Sequence, residues 1–151
     1  MPAKLAVQYR SAFVIMATFM PRLLLATLTV AASLVTMAAP GWAQDVEAGE
    51  KSFRKCTACH DIGPAAQNKL GPRLNGLDGR KSGSIEGYNY TEANKTSGIT
   101  WSDAEFKDYI TDPKVKIPKT KMIFAGIKNE RERNDLWAYL KQFGADGKIK
   151  N

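Results

Sequence analysis

The only two cysteines and the only histidine of this 151-residue chain fall within five consecutive positions, Cys56-Thr-Ala-Cys59-His60. A disulfide across two intervening residues would stabilise a fold little, because the gain grows with the length of the loop closed. A redox dithiol of this spacing belongs between a strand and a helix in an alternating chain, and no such alternation is present here. Zinc takes about four ligands, whereas Cys and His together supply three at most, all adjacent. Covalent attachment of a c-type haem fits every count. Both thiols would add to the porphyrin vinyl groups, with the adjacent His60 as proximal ligand to the iron.

A haem iron with one imidazole has a further position to fill or to leave open, and that choice separates electron carriers from enzymes and gas sensors. Of the five methionines only Met122 lies outside the first 43 residues. It sits in Ile117-Pro-Lys-Thr-Lys-Met122-Ile-Phe-Ala-Gly126, where Pro and Gly punctuation without a sustained period predicts a loop. A lone methionine is ordinarily core filler. On a loop of a one-histidine haem protein, a soft thioether is instead the expected distal ligand, and it favours ferrous iron. A closed iron of this kind suits a carrier. A Met122 that leaves on demand would suit a peroxidase or a gas-binding domain.

The compartment follows from the N-terminus. The first 43 residues carry no acid and three bases, Lys4, Arg10 and Arg22, followed by an apolar run from Leu23 to Val35 and by Pro40-Gly-Trp-Ala43. Charge, apolar core and small-residue cut site in that order predict a secretory signal peptide over 1–43, cleaved after Ala43, with Met16 and Met20 as alternative starts. Retention as a membrane anchor is the rival reading, but the apolar run falls short of the about 20 residues a bilayer needs. The expected mature domain, 44–151, has 19 Lys and Arg against 15 Asp and Glu. So mild an excess argues against a nucleic-acid binder, whose basic residues cluster more strongly.

The elements that must position these groups read as helices. Asp45 to Arg54 predicts a short helix with Val46, Gly49 and Phe53 on one side, ending just before the cysteines. From Asp61 to Gly98 the chain is rich in Gly, Pro, Asn and Ser, which predicts loops with one short helix near Thr91 to Lys95. Ser102-Asp-Ala-Glu105 reads as a capping box opening a helix that Pro113 stops. Asn129 with Glu132 suggests another cap, opening a final helix that aligns Leu136, Leu140 and Phe143 and is stopped by Gly144. The expected class is all-α: three main helices with long loops wrapped around a covalently attached haem.

Residues 44 to 147 resemble the class I c-type cytochromes, closely the mitochondrial cytochrome c and short bacterial cytochrome c2 branch. The likeness lies in Cys56 to His60, Gly71-Pro-Arg-Leu-Asn-Gly76, Gly79-Arg-Lys-Ser-Gly83, Gly87-Tyr-Asn-Tyr-Thr-Glu-Ala-Asn94, Gly98-Ile-Thr-Trp101, Pro118 to Gly126 and Asp135 to Lys141. The resemblance implies the cytochrome c fold, and it implies roles residue by residue. Pro72 would offer its carbonyl to the free ring N–H of His60. Tyr109 would hydrogen-bond near the Met122 sulfur, helped by Thr120 and Asn94. Arg80, Tyr90 and Trp101 would donate to the haem propionates. Phe53, Leu136 and Tyr139 would join the first and last helices, with Gly49 admitting close approach. In two places the chain departs from the family pattern: Lys119 stands where glycine is usual, and two residues rather than three separate Phe53 from Cys56.

The resemblance also implies a partner class. Lys55, Lys69, Lys81, Lys114, Lys116, Lys119 and Lys121 would ring the exposed haem edge, attracting redox proteins with acidic docking faces. The expected protein is a monomeric, soluble periplasmic carrier, not an enzyme and without stable membrane insertion after cleavage. Its electron donor would be a quinol-oxidising complex or dehydrogenase, and its acceptor an oxidase, reductase or photosynthetic reaction centre.

Overall fold

The computed structural model describes residues 43–150, and the expected leader up to residue 42 lies outside them. Five helical segments follow in order: α1 (Val46–Phe53), α2 (Glu92–Lys95), α3 (Asp103–Thr111), α4 (Pro113–Lys116) and α5 (Glu130–Leu140). Three are long and two are single turns, so the all-α expectation holds. Among the described residues the only β pairing is two isolated bridges, Lys81 with Thr100 and Phe143 with Ile149.

Each helix starts where a side chain can take up a backbone N–H that would otherwise lack a partner. Asp45 accepts from Ala48 N, Thr91 from Asn94 N, Ser102 from Glu105 N, Asp112 from Val115 N and Asn129 from Glu132 N. The box expected at Ser102 is only half built, because Glu105 turns towards Lys116, 3.0 Å away. Pro113 ends α3 and also opens α4, whose first turn has no use for the missing proline N–H.

α1 and α5 form the frame. Gly49 is buried against α5, and a Cβ built on it would lie 2.0 Å from the Asp135 carbonyl oxygen. No other residue type could stand there at this helix separation. Around that point Phe53 packs on Tyr139 with ring centroids 5.5 Å apart, and Leu136 is fully buried. The Asp135 carboxylate accepts the backbone N–H of Asp45 at 2.9 Å, tying the start of α1 to the same helix. Val46, expected on the packed side, is 40% exposed, since it lies one turn beyond the crossing. α3 joins the frame through Phe106, stacked on Trp137 at 5.1 Å, with Tyr109 and Ile110 buried beside it.

The final helix ends at Leu140, earlier than Gly144. Gln142 N and Phe143 N bond to Tyr139 O and Leu140 O, which tightens the last turn. Phe143 then leaves the helix to pair with Ile149, and its carbonyl accepts from Gly76 N at 3.2 Å. Phe143 is buried as expected, but by a non-helical route.

The Gly49 contact yields a direct expectation. Gly49→Ala should lower the stability of the haem-loaded protein by at least about 2 kcal/mol, read as a lower urea midpoint. An unchanged midpoint would mean that the two helices can separate freely.

Candidate haem site

α1 passes directly into the cysteine segment. Cys56 N bonds to Phe53 O at 2.8 Å, Cys59 N to Cys56 O at 2.9 Å and His60 N to Cys56 O at 2.8 Å. The two-residue spacer after Phe53 is thus absorbed by continuous turns, and Cys56, Cys59 and His60 all face one cavity of about 540 Å³. Neither cysteine is in a disulfide. Burial pushes the Cys56 thiol up to about 11, against a smaller opposing pull from Lys55.

His60 is held in a fixed orientation. Its Nδ1 lies 2.7 Å from the Pro72 carbonyl oxygen, which can only accept, so Nδ1 carries the proton and Nε2 keeps its lone pair free. Gly71 makes this possible: a Cβ there would stand 2.3 Å from the ring Cε1. Burial draws the imidazole below the ordinary histidine range, with the Pro72 bond opposing it. The neutral ring is the form that can ligate a metal.

Met122 lines the same cavity. The Tyr109 hydroxyl donates to its sulfur at 3.2 Å, and its backbone N–H donates to Thr120 Oγ1 at 3.3 Å. Thr120 in turn donates to Asn94 Oδ1 at 3.2 Å, an oxygen that also accepts from Thr91 Oγ1 at 2.8 Å. Tyr109 stands edge-on to Trp101, centroids 5.0 Å apart. Asn94, Trp101, Tyr109, Thr120 and Met122 therefore form one connected wall.

The polar end of the cavity is lined by Arg80, Ser82 and Tyr90. Arg80 spends Nη1 on the carbonyls of Arg73 and Asn75, at 3.3 and 2.7 Å. Its Nε and the Ser82 hydroxyl are buried without a partner. Buried donors left unmade are costly, so two in one cavity point to an acceptor-bearing guest. Haem, apolar over its rings and carrying two carboxylates, fits this lining and the nearby thiols. Ser82 was not singled out from sequence. It lies within Gly79 to Gly83, and only the fold turns its hydroxyl inward.

The comparisons with known proteins agree on the family. Residues 46–144 match the family described as Cytochrome c. The chain belongs to the cytochrome c family. It is 69% identical over 107 residues, 71% of this chain and 100% of the relative, to a cytochrome c2 of Rhodoplanes tepidamans. It is 64% identical over 106 residues, 70% of this chain and 97% of the relative, to cytochrome c-550 of Nitrobacter winogradskyi. In three dimensions it resembles cytochrome cH from Methylobacterium extorquens, with a TM-score of 0.62 and 44% identity over 65% of this chain and 98% of that one. Its cofactor is accordingly covalently bound haem c, in keeping with Cys56 and Cys59.

The lysines divide. Lys55 and Lys121 line the cavity, and among the described residues the ammonium groups of Lys81, Lys114 and Lys119 have no ion-pair or hydrogen-bond partner. Lys69 bonds to Thr57 O at 3.2 Å. Lys121 donates to the Asn89 carbonyl and sits 4.4 Å over the Tyr88 ring. Lys116 does not serve the expected ring. It is claimed by Asp108 and Glu105, at 2.7 and 3.0 Å, because α4 folds back beside the acidic face of α3. Among the described residues, no helix is long and apolar enough to cross a membrane.

Lys55 is held at the cavity by Glu132, whose carboxylate lies 2.5 Å from its ammonium and 2.5 Å from the buried Ser52 hydroxyl. Lys55 first, then Ser52, holds the Glu132 carboxyl below the ordinary carboxylate range. A depressed folded-state pKa gives stability that is present above the unfolded value and lost as pH falls through the folded one. Glu132→Gln should therefore lower the urea midpoint at pH 7, by no more than about 1 kcal/mol after solvent screening. The gap between variant and native chain should close as pH drops below about 4. A gap independent of pH would count against the charge as its cause.

Proposed function

We propose that this chain is a soluble periplasmic electron carrier, exported by a leader cleaved after Ala43. His60 and Met122 would hold its iron, and Cys56 and Cys59 would attach the group through thioether bonds. One observation carries the reading: a single cavity gathers the only imidazole, both thiols and the only thioether found beyond residue 43. When bound, haem c supplies reversible one-electron iron chemistry.

The chain's own residues do the rest. Pro72 fixes the His60 ring and keeps its proton on Nδ1, which raises ligand basicity. Tyr109, with Thr120 and Asn94 behind it, sets the direction of the Met122 sulfur. Arg80, Tyr90 and Trp101 neutralise or hydrogen-bond the carboxylates, because an unpaired carboxylate away from water is costly. Leu77, Phe106 and Leu136 exclude water from the cavity walls. With His60 and Met122 both given to the iron, no position would remain on it for a substrate, which suits a carrier rather than an enzyme.

Lys81, Lys114, Lys119 and Lys121, which pair with no carboxylate among the described residues, are best suited to transient docking on acidic surfaces, whereas Lys55, Lys69 and Lys116 each have an acidic neighbour. A quinol-oxidising complex or dehydrogenase would donate the electron, and an oxidase, reductase or photosynthetic reaction centre would accept it. Long-range attraction of this kind speeds encounter and leaves release fast.

The oxidised protein should display the weak sulfur-to-iron absorption near the red end of its spectrum, and Met122→Ala should abolish it. A native protein without that band that binds carbon monoxide readily once reduced, at neutral pH, would be a haem enzyme or sensor instead. Electron transfer to a physiological partner should slow by about tenfold between low salt and 1 M, where screening shortens to about 3 Å. A rate indifferent to salt would reduce the lysines to solubilising charge.

A further inference from the structure

Beyond α5 the chain turns back on itself. Gly144 N bonds to Lys148 O at 2.8 Å, Gly147 N to Gly144 O at 3.0 Å and Lys150 N to Gln142 O at 2.8 Å, so residues 142–150 form a short hairpin around the Phe143–Ile149 bridge. Most of it is exposed, but Gly147 is buried. A Cβ on Gly147 would stand 2.1 Å from the Gly63 carbonyl oxygen and 2.6 Å from Asn75 Nδ2, at a φ of +77° that suits glycine. Beside it, a Cβ on Gly76 would stand 2.9 Å from the Ala145 Cα, and Gly76 N donates to Phe143 O at 3.2 Å. Two glycines thus let the hairpin lie backbone to backbone on residues 63, 75 and 76.

What the hairpin covers is the far end of a ladder that starts at the cavity. Gly71 N donates to Cys59 O at 2.7 Å, His60 Nδ1 to Pro72 O at 2.7 Å and Leu74 N to Asp61 O at 2.8 Å. The last two rungs belong to Asn75, whose side chain accepts from Gly63 N and donates to Gly63 O, both at 2.9 Å. Segments 59–63 and 71–75 therefore run side by side in the same direction. Neither is part of a helix or a strand, so their register rests on these rungs. Asn75 is only 6% exposed. Were its two bonds open to water, they would compete with solvent for the same groups and hold position poorly. The second segment also carries Arg80, whose Nη1 donates to Asn75 O at 2.7 Å and Arg73 O at 3.3 Å.

We infer that the hairpin after α5 is a positioning segment for the cavity. By covering the Asn75–Gly63 pair it keeps segments 59–63 and 71–75 in register, and so holds the Pro72 carbonyl on the His60 ring and the Arg80 guanidinium at the polar end. Its bearing on electron transfer rests on His60 as an iron ligand. The contacts themselves, and the exchange they govern, do not.

Hydrogen exchange on the haem-loaded ferrous protein tests it, with a chain ending at Phe143 and a full-length Gly147→Ala chain beside the native one. Both variants keep Gly49, Phe53, Phe106, Leu136 and Trp137, through which the three long helices pack. In each, the Gly63 and Leu74 amides and the His60 ring N–H should exchange about tenfold faster through local opening of the ladder, while the Leu136 and Leu140 amides stay within about twofold of native. Where the shortened chain fails to take up haem, Gly147→Ala decides alone. The inference is overturned if Gly63 and Leu74 keep native rates. It is equally overturned if Leu136 and Leu140 accelerate by the same factor, since the hairpin would then add only to global stability. A His60 ring N–H that stays slow while Gly63 opens would also overturn it, because the two ends of the ladder would then be uncoupled.

Discussion

The constraint on which the rest of this structure depends is a core built around a hole. The cavity of about 540 Å³ is walled largely by apolar side chains, and apolar wall left facing water forgoes the main driving force of folding. Filling the cavity is therefore part of folding. This explains why most of the chain between α1 and α3 forms loops: they serve as walls, and the α1–α5 crossing with α3 beside it is the frame on which they hang.

The frame and the site are coupled by short covalent distances. Gly49 sets how close α1 comes to α5, and α1 runs without a break into Cys56. The orientation of the cysteine segment is thus inherited from a helix contact that involves no cofactor ligand. On the opposite side, Tyr109 projects from α3 towards the Met122 sulfur, so α3 governs the second wall in the same manner. Two helices packed on one partner hold the two halves of the site in mutual register.

The polar atoms follow one economy. The carbonyl of Pro72, the hydroxyl of Tyr109 and the amide of Asn94 are each engaged within the protein, and each fixes a group at the cavity. Arg80 Nε and Ser82 Oγ are left for the guest. This division separates positioning groups from binding groups more clearly than residue type does. Lys116 shows the same principle on the surface. Its ammonium is shared between two carboxylates of α3.

Much of this was legible from local chemistry. The Cys-x-x-Cys-His spacing, the solitary Met122 and the helix caps at Ser102 and Asn129 act over a few residues, and local signals survive any fold. The exceptions are long-range. Phe143 keeps helical spacing with Leu140, yet the chain abandons the helix there because its carbonyl accepts from Gly76 N while its neighbours Gln142 and Gly144 pair with Lys150 and Lys148. Val46 shares the face of Gly49, but α5 does not extend over it. Ser82 looks like a loop serine until the fold turns it inward. Lys119 looks unfit for its turn, yet it takes a left-handed φ of 68° where glycine is usual in the family it resembles. By itself, then, the sequence determined the cofactor chemistry and the places where helices begin, since both depend on neighbours along the chain. Only tertiary structure decided where the last helix ends, which donors face the cavity and which lysines lack an acidic neighbour, because each of these is set by groups distant in sequence competing for the same space or the same hydrogen bond.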